Sequence, residues 1–152
     1  MMKIYIGTDH RGVDVQNKLY NYLKELGLEV YVSSLKHDDN DDYPDFAFDI
    51  CQKVIENDKS LGILICGTGI GMSIAANKVK GIRAARCVNA DDSYFVKNHN
   101  DCNVLCISSN NDIKQIYEIV DTFINTKNSN EERHLKRIDK IIKYENGEYN
   151  GL

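Results

Sequence analysis

No run of apolar residues in this chain approaches the roughly 20 positions that a bilayer-spanning helix needs. The opening Met1-Met2-Lys3-Ile4-Tyr5-Ile6 reaches Asp9 and His10 too soon for a signal peptide. A cytoplasmic protein without a membrane partner is expected. Basic residues are not in excess either. Lys and Arg number 19 against 23 Asp and Glu, a net charge of -4, with only a modest basic cluster near the end. That balance argues against nucleic acid as a partner. Cys-x-x-Cys is absent and the histidines are scattered singly, so no structural metal is expected. The five cysteines, at 51, 66, 87, 102 and 106, are odd in number, and several lie in apolar runs such as Ile63-Leu64-Ile65-Cys66. This is the pattern of reduced thiols, not of a disulfide framework. Internal repeats are missing, and the single proline, Pro44, suits the first turn of a helix.

What is present fits one compact domain over residues 1–152. Five short apolar runs, Lys3 to Thr8, Leu28 to Ser33, Leu61 to Cys66, Arg83 to Val88 and Asn103 to Ser108, alternate with amphipathic stretches. Val15-Leu19-Tyr22-Leu23-Leu26 recurs at helical spacing and ends at Gly27; Phe46-Ile50-Val54 and Ile116-Val120-Ile124 do the same. Strands alternating with helices predict an α/β fold: a Rossmann-like three-layer α/β/α sandwich around a five-stranded parallel sheet. The Asp- and Asn-rich stretch from Lys36 to Asp42 reads as a solvated loop. A second polar patch, Thr126 to Glu131, precedes a last helix over about 131–144, whose stripe of Leu135, Ile138 and Ile142 needs a surface to cover it.

In open parallel sheets, ligands bind beyond the carboxyl ends of the strands. Cys66-Gly67-Thr68-Gly69-Ile70-Gly71 follows a strand there and opens a helix. Alternate glycines allow a tight turn whose N–H groups converge beside a helix N-terminus, a place for an oxyanion or phosphate. A bare Gly-x-Gly-x-Gly is as often only a strand-to-helix turn. Cys66, ending the strand, is placed to act as a base or nucleophile, although a cysteine in that position is more often a small core residue. Asp9-His10 ends the first strand on the same edge and can handle protons or bind an anion; the plainer reading makes Asp9 the cap of the Val13 to Leu26 helix. His99-Asn100 belongs to the opposite edge, so His99 can work with Cys66 of its own chain only through an unusual path, whereas a dimer partner can bring it across. Arg133 and Arg137 stand i, i+4 on the last helix, two forks suited to a phosphate dianion or simply to solvent.

Taken together, Gly7-Thr8-Asp9-His10, Asp42-Tyr43-Pro44-Asp45, the block from Ile65-Cys66-Gly67-Thr68 to Ala76-Asn77-Lys78, Gly81-Ile82-Arg83-Ala84 and His99-Asn100-Asp101-Cys102-Asn103-Val104-Leu105 closely resemble the ribose-5-phosphate isomerase B family, within the broader family that also holds galactose-6-phosphate isomerase subunits. The resemblance runs over essentially the whole chain. It implies a cofactor-free aldose–ketose isomerase of the non-oxidative pentose phosphate pathway, converting ribose 5-phosphate to ribulose 5-phosphate through a cis-enediolate. It implies Cys66 as the base, Thr68 assisting, and His99 with Asp9 opening the furanose ring. The backbone of Gly67, Gly69, Ile70 and Gly71 is then to hold the enediolate oxygen, Asn100 and Tyr43 to position the open sugar, and His10, Arg133 and Arg137 to hold the phosphate. The site is expected to be shared between the subunits of a homodimer or a pair of dimers, with the last helix on a partner.

One departure concerns the phosphate: where the family carries Gly-x-Arg after the Leu105 strand, this chain reads Ser108-Ser109-Asn110. Loss of one charge-assisted bond weakens binding by roughly 1.5–3 kcal/mol unless another cation substitutes. Competing expectations are an isomerase of a hexose 6-phosphate (allose or galactose 6-phosphate), a nucleotide- or flavin-binding module, and a member that binds sugar phosphate without turnover.

Overall fold

The computed structural model describes residues 1–151. Each apolar run forms a strand: β1 Lys3–Thr8, β2 Glu29–Val32, β3 Ser60–Cys66, β4 Ala84–Arg86 and β5 Val104–Ser108. All pairings are parallel, in the order β2-β1-β3-β5-β4. The helices are α1 Val13–Glu25, α2 Tyr43–Glu56, α3 Ile70–Ala76, α4 Ala90–Asn98, α5 Ile113–Asn125 and α6 Glu132–Glu145. The expected five-stranded α/β/α sandwich is therefore the one observed. β4 is shorter than the apolar run from Arg83 to Val88, because it is an edge strand with β5 as its one partner.

Every residue of β3 is buried, as a central parallel strand with helices on both faces must be. The period-two alternation divides the side chains between two cores. Ile4, Ile6, Ile63, Ile65, Leu105 and Ile107 meet Leu19 and Leu23 of α1 and Ile116 and Phe123 of α5. Tyr5, Leu64, Val104 and Cys106 meet Phe46 and Ile50 of α2 and Met72 and Ala76 of α3. At Gly7 the approach of α2 is so close that a Cβ would stand 2.5 Å from Ile50 Cγ1. All five cysteines are free and buried. Burial pushes the thiols of Cys51 and Cys87 up to about 12 and that of Cys102 up to about 11, with Cys106 well above its ordinary value.

α6 rests on the body of the chain through its two buried residues, His134 and Ile138. His134 stacks on His99 at the end of α4, with ring centroids 4.1 Å apart. Near its other end, Glu145 accepts from the Gly81 N–H at 2.9 Å. Leu135, Ile141, Ile142 and Tyr144 remain exposed. No helix among the described residues is long and apolar enough to cross a membrane.

Candidate active site

Chain order reverses between β1 and β3: from β1 the sheet grows outward to β2 on one side and through β3 to β5 and β4 on the other. Adjacent strand ends part there, opening a crevice. A cleft of about 330 Å³ lies at this point, between the end of β1, the loop after β3 and the start of α2.

The β1 wall is built by a short 3-10 turn, His10–Gly12. Asp9 was expected to cap α1; instead its carboxylate caps this turn, accepting the Arg11 N–H at 3.0 Å, and α1 itself has no side-chain cap. The difference arises because the chain leaves β1 in a tighter turn before the helix begins. Gly12 makes that turn possible, since a Cβ would come within 2.1 Å of Thr8 Oγ1 and 2.8 Å of Ile65 Cγ2. With the turn seated on the strands, His10 and Arg11 are left exposed along the cleft.

The opposite wall is the glycine loop. Gly69 is left-handed (φ 76°), and a Cβ there would stand 2.9 Å from the carbonyl carbon of Ile107, so only glycine lets the loop lie against β5. The Gly69 N–H donates to Cys66 Sγ at 3.1 Å, and the Ile70 N–H donates to Thr68 Oγ1 at 3.2 Å. Three side chains anchor the loop's carbonyls from outside. Ser108 Oγ and Asn110 Nδ2 donate to the Gly67 oxygen at 2.7 and 3.0 Å, and Arg86 Nε donates to the Thr68 oxygen at 2.7 Å. In a trans peptide the N–H points opposite to its carbonyl. Holding the Gly67 oxygen toward β5 therefore turns the Thr68 N–H toward the β1 side, where the cleft lies. The uncharged Asn110 is thus a tether of the loop. Cys66 is only 5% exposed yet lines the cleft, with its sulfur an acceptor at the mouth of the loop.

The third wall corrects the reading of residues 36–42 as a wholly solvated loop. Asp41 is drawn inward: Oδ1 accepts the His10 backbone N–H at 2.8 Å and meets His10 Nδ1 at 2.7 Å, while Oδ2 meets His37 Nδ1 at 2.8 Å. Burial pushes the Asp41 carboxyl up, but the hydrogen bonds from His10, then from His37 and the Asp38 backbone, outweigh it and bring it down to about 2. His10 responds in the opposite sense: the bond to Asp41 raises its pKa against a smaller opposing effect of burial. With Nδ1 engaged, Nε2 is the imidazole's free polar atom. Beside it Tyr43, the first residue of α2, lies over Gly71, where a Cβ would be 2.6 Å from Cζ.

Asp9, His10, Tyr43, Cys66, Gly67, Thr68 and Gly71 thus meet in one cleft, with Gly69 and Ile70 in its loop. Sequence reasoning passed over Arg11 and Asp41, which line it too; for Asp41 the signal was a histidine four positions earlier, His37, inside an acidic loop. His99, Asn100, Arg133 and Arg137 do not join them within the chain. Gly62 pairs with Val104 and Cys66 with Ser108, so the two edges of the sheet are about 13 Å apart at roughly 3.3 Å per residue. His99 lies before Val104, on the far edge. There it is half-buried against His134, whose own pKa is lowered by burial and then by the neighbouring His99. Asn100 uses its carbonyl to accept from Arg83 Nε at 3.1 Å, and the exposed Arg133 pairs with Glu131 at 2.7 Å. No cluster of three or more potential metal ligands occurs among the described residues.

The same fold recurs in proteins of known family. The chain matches the ribose/galactose isomerase family over residues 4–141. It is 46% identical over 146 residues to a probable ribose-5-phosphate isomerase B of Mycoplasma genitalium, covering 93% of this chain and 95% of that protein. To ribose-5-phosphate isomerase B of Mycobacterium tuberculosis it is 34% identical, covering 95% and 90%. Among solved structures, the Mycoplasma genitalium ribose-5-phosphate isomerase B with bound ribulose-5-phosphate superposes with a TM-score of 0.90 at 43% identity, covering 95% of this chain and 97% of that one. The Clostridium thermocellum ribose-5-phosphate isomerase B gives 0.91 at 38% identity, covering 96% and 99%. On the fold, the loop and these matches together, the chain belongs to the ribose/galactose isomerase family.

Proposed function

We propose that this protein is a ribose-5-phosphate isomerase, interconverting ribose 5-phosphate and ribulose 5-phosphate through a cis-enediolate with no metal or organic cofactor. The observation that carries this reading is the Cys66 sulfur, held at 3.1 Å by the Gly69 N–H at the open end of a loop whose carbonyls are tied back. In the open-chain aldose the Cys66 thiolate takes the proton from C2, the released electron pair forms the C1–C2 double bond, and negative charge moves to O1. Loop N–H groups from Gly67 to Gly71, with the Thr68 hydroxyl, hold that charge where it develops. The thiol then returns its proton to C1, and the O2 proton passes to O1 as the C2 carbonyl forms. Proton transfer by a positioned group of this kind accelerates a reaction by about 10²–10⁴-fold.

Tyr43 and the partner subunit's Asn100 position the sugar, and His10 with the partner subunit's Arg133 and the partner subunit's Arg137 holds the phosphate, fixing the reacting carbons near the base. Ring opening falls to His99 of the partner subunit, with Asp9 nearby, because the sheet separates His99 from Cys66 in one chain. Exposed Ile70 and Ile74 on α3 beside the loop, and exposed Leu135, Ile141 and Ile142 on α6, favour a homodimer, or a pair of dimers, in which α6 packs on the second copy. A single isomerase domain spanning the chain, acting in the cytoplasm on the non-oxidative pentose phosphate route, completes the reading.

The deciding experiment is turnover of ribose 5-phosphate by purified protein, beside Cys66→Ala and beside allose 6-phosphate. Cys66-dependent turnover favouring the pentose is expected. A preference for the hexose would reassign the substrate, and folded wild type inactive on both sugars would remove the enzyme reading.

A further inference from the structure

Arg11 lines the cleft beside His10 and is exposed. Its backbone is fixed: Asp9 accepts its N–H at 3.0 Å, and the next residue, Gly12, is pressed onto Thr8 and Ile65 with no room for a Cβ. The guanidinium reaches across to the glycine loop, where Nη1 is 3.5 Å and Cδ 3.7 Å from the position a Gly67 Cβ would take. Glycine at 67 therefore leaves the guanidinium lying directly over the loop backbone.

Charge within the cleft is distributed unevenly. Three carboxylates, Asp9, Asp41 and Asp42, line it, yet none pairs with the Arg11 side chain. Asp9 is engaged by the Arg11 N–H, and Asp41 by the two histidines. Among the described residues Arg11 is the one lining residue with a permanent positive charge, since His10 is cationic only when protonated. An arginine whose five donors are left without a carboxylate, in a cleft that contains three, is set to receive an anion from outside.

Resting on the isomerase reading, the geometry points to Arg11 as a substrate-binding residue that grips the phosphate of the sugar phosphate from the same subunit as Cys66. Its planar fork offers two parallel N–H bonds to phosphate oxygens. His10 Nε2 approaches from the neighbouring position of the same turn. With Asn110 uncharged and turned to the Gly67 carbonyl, Arg11 supplies fixed positive charge on the Cys66 side of the site, whatever a partner subunit adds.

The test compares wild type with Arg11→Ala and Arg11→Lys in ribose 5-phosphate turnover, in competitive inhibition by inorganic phosphate, and in thermal stabilisation by inorganic phosphate. Arg11→Ala is expected to raise KM and the phosphate inhibition constant together, by about tenfold or more, with kcat within about threefold. Arg11→Lys is expected to fall between the two, keeping charge but losing the fork. A fall in kcat with unchanged phosphate inhibition would overturn the assignment in favour of a role at the reacting carbons. Unchanged constants, or phosphate stabilising wild type and Arg11→Ala equally or not at all, would leave Arg11 a solvent-facing side chain. Should wild type prove inactive on the sugar while phosphate still stabilises it and not Arg11→Ala, the isomerase reading falls and the anion site stands.

Discussion

The Asp41 carboxylate and the His10 imidazole meet at 2.7 Å although 31 positions separate them in the chain, and the same carboxylate also holds His37. The pairing raises the His10 pKa and brings Asp41 down to about 2. Because the His10 value in the folded chain lies above 6.5, its contribution to stability is complete below 6.5 and is lost as pH rises through the folded value. Asp41 works in the other direction: its contribution is present above 3.8 and is lost as pH falls through about 2.

Asp41→Asn is therefore expected to return the His10 titration, followed by NMR of the imidazole protons, toward its ordinary value. At neutral pH the neutral fraction of His10 grows, so KM for ribose 5-phosphate rises while kcat changes little. An unmoved titration curve would show that Asp41 does not control this imidazole.

Cys66→Ala is expected to lower kcat by about 10²–10⁴-fold with KM changed only a few-fold, since the thiol does chemistry rather than binding. Loss of its bond from Gly69 costs about 1 kcal/mol, which urea unfolding can measure. A kcat reduced less than tenfold would assign proton transfer elsewhere.

Two glycines of the loop should respond differently to alanine. At Gly69 the left-handed backbone and the Ile107 carbonyl carbon at 2.9 Å leave a Cβ no escape, and Gly69→Ala should cost about 1–3 kcal/mol of stability as well as activity. At Gly71 the obstacle is the Tyr43 ring, a side chain 38% exposed that can swing aside. Gly71→Ala should keep the unfolding midpoint and lose activity through a displaced Tyr43, to be read by paired denaturation and kinetic measurements.

His134 is buried against His99 and leaves Nε2 without a hydrogen bond. Its folded pKa is depressed, so it stabilises the fold above 6.5 and that part is lost as pH falls through the folded value. His134→Phe keeps the stack and removes the titrating group. The variant is expected to lose less stability than wild type between pH 7 and 5 in thermal denaturation; identical slopes would count against it.

Much of the architecture was legible because its signals are local. Val15, Leu19, Tyr22 and Leu23 repeat at helical spacing, the apolar runs name the strands, and Cys66 to Gly71 announces a turn between strand and helix. The cap at Asp9 was misread for the same reason: an acidic residue before a helix looks like its cap, and nothing local shows that a 3-10 turn intervenes. Asp41 was hidden in a stretch of polar residues that differ from it only in where they end up.

By itself, then, the sequence determined the α/β layering, the parallel sheet, the free thiols and the glycine loop, all set by residue spacing within one element or at its ends. Tertiary structure alone decided that β1 and β3 lie side by side and bring Arg11 over Gly67, that Asp41 crosses to His10, and that His134 of α6 stacks on His99. Those relationships join residues whose separation in the chain carries no period, and they arise from the order in which the strands pair.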